Sequence, residues 1–244
     1  MEYGIQMYSV KDLGIVDFPA TFRAVKEAGY TMVETANVYD NSAETVRDLI
    51  KENGLKICGA HSTWAKLTAE NIESTIEFQR TLGNKNYVIP VAKFETREEM
   101  DSLIRLINFA QPILKDAGIT LHYHNHYKEF DIQEWGGRAF DEIVNGTDVK
   151  LEIDTYWAFY SGFDPLELMK KHRARVEMIH LRDGDPAIGG AGCALGEGKA
   201  PVADVVRLGR ELGLTMIVET GGFDPTGPEE VKRCINYLRS LEEK

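Results

Sequence analysis

"VKLEIDTYWAFYSGFDPLELMKKHRARVEMIHLRD", residues 149–183, decides the fold. Its two ends, "VKLEIDTYW" (149–157) and "VEMIHLRD" (176–183), are short runs rich in β-branched and large apolar residues and read as strands. Between them "DPLELMKKHR" (164–173) reads as a helix, with Pro165 in the first turn, where its missing N–H costs nothing. Two strands joined through a helix lie parallel, because a parallel pair needs a long crossover whereas an antiparallel pair needs only a turn. Working outward, the same alternation recurs with no linker and no low-complexity break. Further strands are predicted over 3–9, 31–35, 55–61, 86–91, 119–126 and 215–220. Further helices are predicted over 18–29, 42–54, 71–83, 96–118, 137–146, 201–213 and 227–241, with a bend expected at Pro112. Eight strand–helix pairs in 244 residues are the arithmetic of one α/β domain, 1–244, closed as a (β/α)8 TIM barrel. An open, doubly wound sheet is the competitor, but "MYSVKDLGI" (7–15) lacks the glycine-rich phosphate fingerprint that such a sheet carries after its first strand.

Composition narrows the function. The chain is 43% hydrophobic and 27% charged, the balance of a soluble globular protein. No run approaches the roughly eighteen apolar residues of a membrane span. "MEYGIQMYSV" (1–10) has neither a basic n-region nor a cleavable apolar stretch, so no secretory leader is expected. Cys58, Cys193 and Cys234 are odd in number and scattered, which points to free thiols in a reducing, cytoplasmic setting. A formal net charge of -11 without a basic stripe argues against a nucleic-acid partner. No membrane partner is expected, and homo-oligomerisation is left open.

In a (β/α)8 barrel the active site lies at the C-terminal ends of the strands, and side chains alternate along each strand. "LHYHNHYKEF" (121–130) puts His122, His124 and His126, three of the six histidines, on one parity. The same parity collects Glu152 and Asp154 in "LEIDTYW", His180 and Arg182 in "MIHLRD", and Glu219 in "IVET". Gln6, Glu34 and His61 stand at the ends of the first three strands. Burying such groups unpaired costs about 2 kcal/mol or more each, so together they read as a polar mouth on an apolar barrel. Imidazoles and carboxylates converging from separate strands are the ligand set of a divalent ion such as Mn2+, Co2+, Fe2+ or Zn2+. The quartet is His124, Asp154, His180 and Glu219, from four consecutive strands; two carboxylates cancel the dication and open positions remain for substrate oxygens. Each member also has a plainer reading. Asp154 can cap a helix, His180 can be a packed core histidine, and Glu219 can pair with Arg182. His122, deeper in its strand, is expected to be structural, and His172, among lysines and arginines on a helix, to be at the surface.

At these residues the chain resembles the xylose isomerase-like TIM barrels known as sugar phosphate isomerase/epimerase, and within them the inosose dehydratase-like branch. The segments that carry the resemblance span nearly the whole chain: "GIQMYSVKD" (4–12), "EAGYTMVE" (27–34), "YHNHYKEF" (123–130), "LEIDTYWAFYSGFDP" (151–165), "MIHLRDGD" (178–185), "LGEG" (195–198) and "IVET" (217–220). The resemblance implies a single divalent metal, Mn2+ first, with Co2+, Zn2+, Fe2+ or Mg2+ as the others. It places the ligands at His124, Asp154, His180 and Glu219. The family's sugar epimerases carry glutamate where His124 stands, and use that glutamate and the one matching Glu219 as two bases, one on each side of the carbon. The histidine here is a departure. The "YHNH" form is similar to the dehydratase-like branch, in which an elimination is the outcome.

The expected function is therefore a divalent-metal-dependent sugar or sugar-phosphate isomerase or epimerase, working by proton abstraction α to a metal-bound carbonyl through an enediolate. A dehydratase or lyase of a keto-polyol, such as an inosose or a 3-keto sugar, is the second expectation, and a non-catalytic sugar-binding barrel a remote third. Glu219 is expected as ligand and base and His126 as acid/base, since imidazole titrates near neutrality. Gln6, Glu34, His61, Trp64, Trp157 and Arg182 are expected at the small-molecule carbohydrate, with the two indoles stacking on the sugar or packing at the rim. "GGAGCALGEG" (189–198) is either a loop that closes on substrate or a plain connection. A DNA-repair endonuclease on this barrel would need more metal ligands and a basic surface, which the charge of -11 rejects.

Overall fold

Eight parallel strands close on themselves in chain order: β1 (Gly4–Gln6), β2 (Met32–Thr35), β3 (Lys56–His61), β4 (Asn86–Ile89), β5 (Thr120–His124), β6 (Lys150–Asp154), β7 (Val176–Leu181) and β8 (Thr215–Val218), with β8 pairing back onto β1. The structure is a computed structural model, and it describes residues 1–190, 192–221 and 224–242. The main covering helices are Phe18–Ala28, Ala43–Glu52, Ile72–Leu82, Arg97–Asp116, Ala139–Gly146, Pro165–Lys171, Val202–Leu212 and Gly227–Ser240. This is the (β/α)8 barrel that the alternation predicts. Among the described residues no helix is long and apolar enough to cross a membrane.

The strand parity does the sorting. On β5, Leu121 and Tyr123 join the apolar layer beneath the helices with Ile107, Leu114 and Ile143, while His122 and His124 turn inward. On β6 and β7, Ile153, Ile179 and Leu181 do the same on the other side of the barrel. Inside, Cys58, Val88, Met178 and Ile217, with Met32 against them, make a small apolar plug. At the N-terminal ends of β5–β7, His122 Nε2 lies 3.2 Å from Glu177 Oε2, and Lys150 Nζ lies 2.9 Å from Glu177 Oε1. The hydrogen bond from His122 is the main reason the Glu177 carboxyl is pulled down to about 2. His122 is thus remote from the mouth, as its depth suggested.

Strand ends differ from the sequence boundaries for local reasons. β1 stops at Gln6, because Gln6 Oε1 accepts Tyr8 N–H and starts a 3-10 turn, Met7–Val10. β6 stops at Asp154 rather than Trp157, because the Asp154 carboxylate accepts the N–H groups of Tyr156 and Trp157, both at 2.9 Å, and caps the short helix Thr155–Tyr160. Trp157 is therefore a helix residue. β5 stops at His124, which leaves His126 in the following loop. β7 stops at Leu181, and Asp183–Gly184 leaves the barrel to pair antiparallel with Gly192–Cys193 in the glycine-rich segment; Ala191 of that segment lies outside the described residues. The helix Arg97–Asp116, opened by a reciprocal Thr96–Glu99 capping box, continues through Pro112.

Candidate active site

The polar residues stack in two tiers above the apolar plug. In the lower tier, register places Gln6 beside Glu34 and His124 beside Glu152. Gln6 Nε2 donates to Glu34 Oε2 at 2.8 Å. Glu34 has room because Gly59 faces it: a Cβ on Gly59 would sit 2.5 Å from Glu34 Oε1. Glu152 Oε2 is a hub, 2.7 Å from His61 Nε2, 3.1 Å from His124 Nδ1 and 3.3 Å from His180 Nε2. His180 stands between two carboxylates, with Nε2 2.7 Å from Glu34 Oε2 and Nδ1 2.8 Å from Glu219 Oε2. Burial alone would strip His180 of its proton, but the charges of Glu152 and Glu34 outweigh it and hold the imidazole well above its usual range. Burial likewise works to neutralise Glu152, and His180 and His61 outweigh it, keeping that carboxylate ionised.

The upper tier is Asp154, Glu219, Arg182 and His126. Arg182 Nη1 lies 3.3 Å from Glu219 Oε1, its Nε lies 3.7 Å from Asp154 Oδ2, and its guanidinium sits 4.8 Å above the Trp157 ring. Burial works to neutralise Glu219, but Arg182 and His180 prevail and hold it well below the usual carboxylate range. Burial lifts Asp154 to about 7; Arg182 opposes the rise and Glu219 adds to it. Asn125 clamps the Asp154 backbone at both N–H and C=O, each at 3.2 Å. His126 is pushed down to about 4, mainly by burial, so its imidazole is neutral near pH 7. Its backbone N–H donates to Glu129 Oε2 at 3.0 Å, while Tyr123 OH donates to Glu129 Oε1 at 3.0 Å.

A cavity of about 780 Å³ opens over this tier. His61, Trp64, His124, His126, Trp157, Arg182 and Glu219 line it; Asp154 and His180 are fully buried and do not line it, but each meets a lining residue, Arg182 and Glu219 respectively. Gln6 and Glu34 correct the expectation of substrate contact. Both are fully buried one tier below, bonded to each other and to His180, and neither lines the cavity. Sequence reading gave no role to Glu152, Asn125 or Glu129. Glu152 shared its parity with Asp154 and was legible in that sense; Asn125 sits in irregular chain and Glu129 in a single 3-10 turn, Lys128–Phe130, too short for a period to mark it.

The donor set fits a divalent ion. The ligand atoms of His124, Asp154, His180 and Glu219 all lie within 4.8 Å of one another. His124 Nε2 and Asp154 Oδ2 are buried without a hydrogen-bond partner, which is costly unless something else satisfies them. The second nitrogen of His124 is held by Glu152, and Nε2 of His180 by Glu34, the carboxylate support that metal-bound imidazoles carry. A second group, His61, His124, Glu152 and His180, is as compact. Its Glu152 oxygen already serves three imidazoles, so the quartet His124, Asp154, His180 and Glu219, which spans the two tiers beside the cavity, is the better cation site.

Residues 22–241 match the model of the xylose isomerase-like TIM barrel family. Inosose dehydratase of Bacillus cereus (strain AH820) is 25% identical over 227 residues, covering 82% of this chain and 70% of that protein. Inosose dehydratase of Geobacillus thermodenitrificans (strain NG80-2) is 26% identical over 196 residues, covering 70% of this chain and 64% of that protein. Among solved structures, a sugar phosphate isomerase/epimerase from Parabacteroides distasonis superposes with a TM-score of 0.80 at 25% identity, covering 98% of this chain and 93% of that one.

Proposed function

Because the chain belongs to the xylose isomerase-like TIM barrel family, we propose that it is a divalent-metal-dependent enzyme that removes the proton next to the carbonyl of a keto sugar or keto-polyol. The observation that carries this reading is the quartet His124, Asp154, His180 and Glu219, converging beside the cavity with two of its donor atoms unsatisfied. Mn2+ is taken first because the family resemblance implies it; a mixed nitrogen and oxygen set also suits Co2+, Zn2+ or Fe2+, with Mg2+ as a further alternative. An ion bound there supplies Lewis acidity, drawing charge from the carbonyl and acidifying the adjacent C–H. The side chains do the rest. Glu34 and Glu152 each fix one nitrogen of a ligating imidazole and so fix its ring. Arg182 orients Glu219 and keeps it ionised. His126, neutral and at the cavity wall, accepts the α-proton and can return it; Glu219 is the second candidate base. His61, Trp64 and Trp157 offer a hydrogen-bonding imidazole and two flat apolar faces to the sugar.

Two fates follow the loss of that proton. Its return to carbon is isomerisation or epimerisation, the outcome that the name of the Parabacteroides neighbour suggests. Its transfer to a departing β-hydroxyl is dehydration, and two observations favour it. His124, not a glutamate, stands on β5, so the site lacks a matched pair of carboxylate bases on opposite walls. The curated relatives are named inosose dehydratase. A screen of ketoses, inososes and 3-keto sugars in D2O with Mn2+, read by mass spectrometry, tests both. Deuterium gain at constant carbon skeleton means reprotonation; loss of water with a new ultraviolet chromophore means elimination. If no substrate of these classes gains α-deuterium or loses water, the carbon-acid reading is wrong.

A further inference from the structure

Asp154 stands where β5 and β6 part. The last rung between these strands pairs His124 with Glu152. β5 ends there, and its chain turns away towards the 3-10 turn Lys128–Phe130, with His126 N–H taken by Glu129 Oε2. β6 runs on to Asp154, which still pairs with His180 of β7. On the β5 side its backbone is met by a side chain: Asn125 Oδ1 accepts Asp154 N–H, and Asn125 Nδ2 donates to Asp154 C=O, both at 3.2 Å. Only one orientation of the amide serves both bonds, so the Asp154 backbone fixes which end is oxygen. A carboxamide presents an acceptor and a donor side by side, as a peptide group does. An aspartate here could not donate, and a glutamine would carry the amide one methylene further out. Asn125 is 1% exposed, so water offers the two Asp154 groups no substitute.

The Asp154 carboxylate is constrained as well. Its Oδ1 is committed to Tyr156 N–H and Trp157 N–H, which leaves Oδ2, buried and without a hydrogen-bond partner, as the one oxygen it can offer a cation. The cap therefore sets the direction of Oδ2, and Asn125 sets the place of the backbone that carries it. Asn125 also directly follows His124, whose Nε2 is the other unsatisfied donor atom of the quartet. The clamp thus ties the chain beside one proposed ligand to the backbone of the next. Bonds from nitrogen and carboxylate oxygen to a divalent ion are about 2.0–2.2 Å long, so the spacing of two donor atoms tolerates an error of only about 0.5 Å.

We propose that Asn125 is a positioning residue for the cation site, holding His124 Nε2 and Asp154 Oδ2 at the spacing a divalent ion requires. The proposal rests on the metal quartet of the preceding subsection and names what keeps two of its members in place. The test uses the full chain and Co2+, whose visible absorption bands report the number and geometry of its ligands. Asn125→Ser removes the clamp, because a hydroxyl on so short a side chain cannot serve both Asp154 groups. It is expected to bind Co2+ about 10–100-fold more weakly than wild type in competition with a chelator, with displaced bands. Thr147→Val is the control for lost stability alone: it cuts buried bonds to Ile143 C=O and Val149 N–H at the entry to β6, away from the quartet. Its melting temperature should fall while its Co2+ affinity and bands stay those of wild type. Wild-type affinity and bands in Asn125→Ser overturn the proposal and leave the quartet standing, and an equal loss of affinity in both variants overturns it too. A wild-type chain that binds no Co2+ overturns the quartet and the proposal with it. If Asn125→Ser does not fold, hydrogen exchange of the wild-type chain decides. Coupling between clamp and ion is reciprocal, so Zn2+ should slow exchange of Asp154 N–H about 10–100-fold more than that of Val149 N–H. Equal slowing of the two amides overturns the proposal.

Discussion

Glu129 offers a test of the site's construction that needs no substrate. Its carboxyl is 2% exposed and is lifted from 4.5 to about 7, chiefly by burial, while it accepts His126 N–H and Tyr123 OH. Each tenfold change in proton affinity is worth about 1.4 kcal/mol, so the full penalty for ionising Glu129 in the folded state is about 3 kcal/mol. The sign follows from the direction of the shift. An acid whose folded value is raised binds its proton more tightly when folded, so its contribution is intact below about pH 4.5 and is lost as pH rises through about 7. About a quarter of it is already gone at pH 5, which leaves about 2–3 kcal/mol to disappear between pH 5 and pH 8. Glu129→Gln removes the titration and keeps the contacts, because the amide oxygen can accept His126 N–H and the amide nitrogen can donate to the Tyr123 hydroxyl oxygen. Other ionisable groups are common to both proteins and cancel in the comparison. Thermal melts of wild type and variant at pH 5 and pH 8 should therefore diverge: the variant gains on wild type by about 2–3 kcal/mol, or roughly 5–10 °C for a chain of this size. Parallel pH dependence in the two proteins would refute the reasoning, and with it the account of how the His126 loop is held.

Asp154→Ala removes a proposed ligand and two helix-capping bonds; elemental analysis should fall from about one divalent ion per chain to near none, and metal-free wild type with undiminished turnover would count against the quartet. Chelation of the wild-type protein should lower its melting temperature, by an amount equivalent to about 2.7 kcal/mol when free metal had stood at 100 times its dissociation constant; no shift means no resident ion. Glu219→Gln keeps the shape but accepts no proton and ligates poorly, so turnover should fall on the order of 100-fold or more, and a normal rate would remove Glu219 from both of its roles. Gly59→Ala drives a methyl to 2.5 Å from Glu34 Oε1 and should cost about 1–3 kcal/mol in a denaturant melt, with weaker metal retention as Glu34 is displaced from His180.

The chain by itself determined the eightfold alternation, the inward parity of His124, Glu152, Asp154 and His180, and the chemistry of the mouth, because a period of two and a period of 3.6 are local properties written at neighbouring positions. The plainer readings of single residues were legible too, and two of them coexist with the site: Asp154 does cap a helix and Glu219 does pair with Arg182. Depth along the barrel was not legible. Whether a strand-end residue reaches the cavity depends on the stagger between strands, and the register shifts at Val33/Glu34 and Leu151/Glu152 arise from pairing with neighbours far away in sequence. Only the tertiary structure therefore decided that Gln6 and Glu34 lie beneath the site while Glu219 stands in it. The same holds for Glu152, whose carboxylate gathers three imidazoles from three other strands, and for Asn125, whose carboxamide meets the backbone of Asp154, 29 residues further along the chain. Such contacts join residues that no local period relates, and they exist only once the barrel has closed.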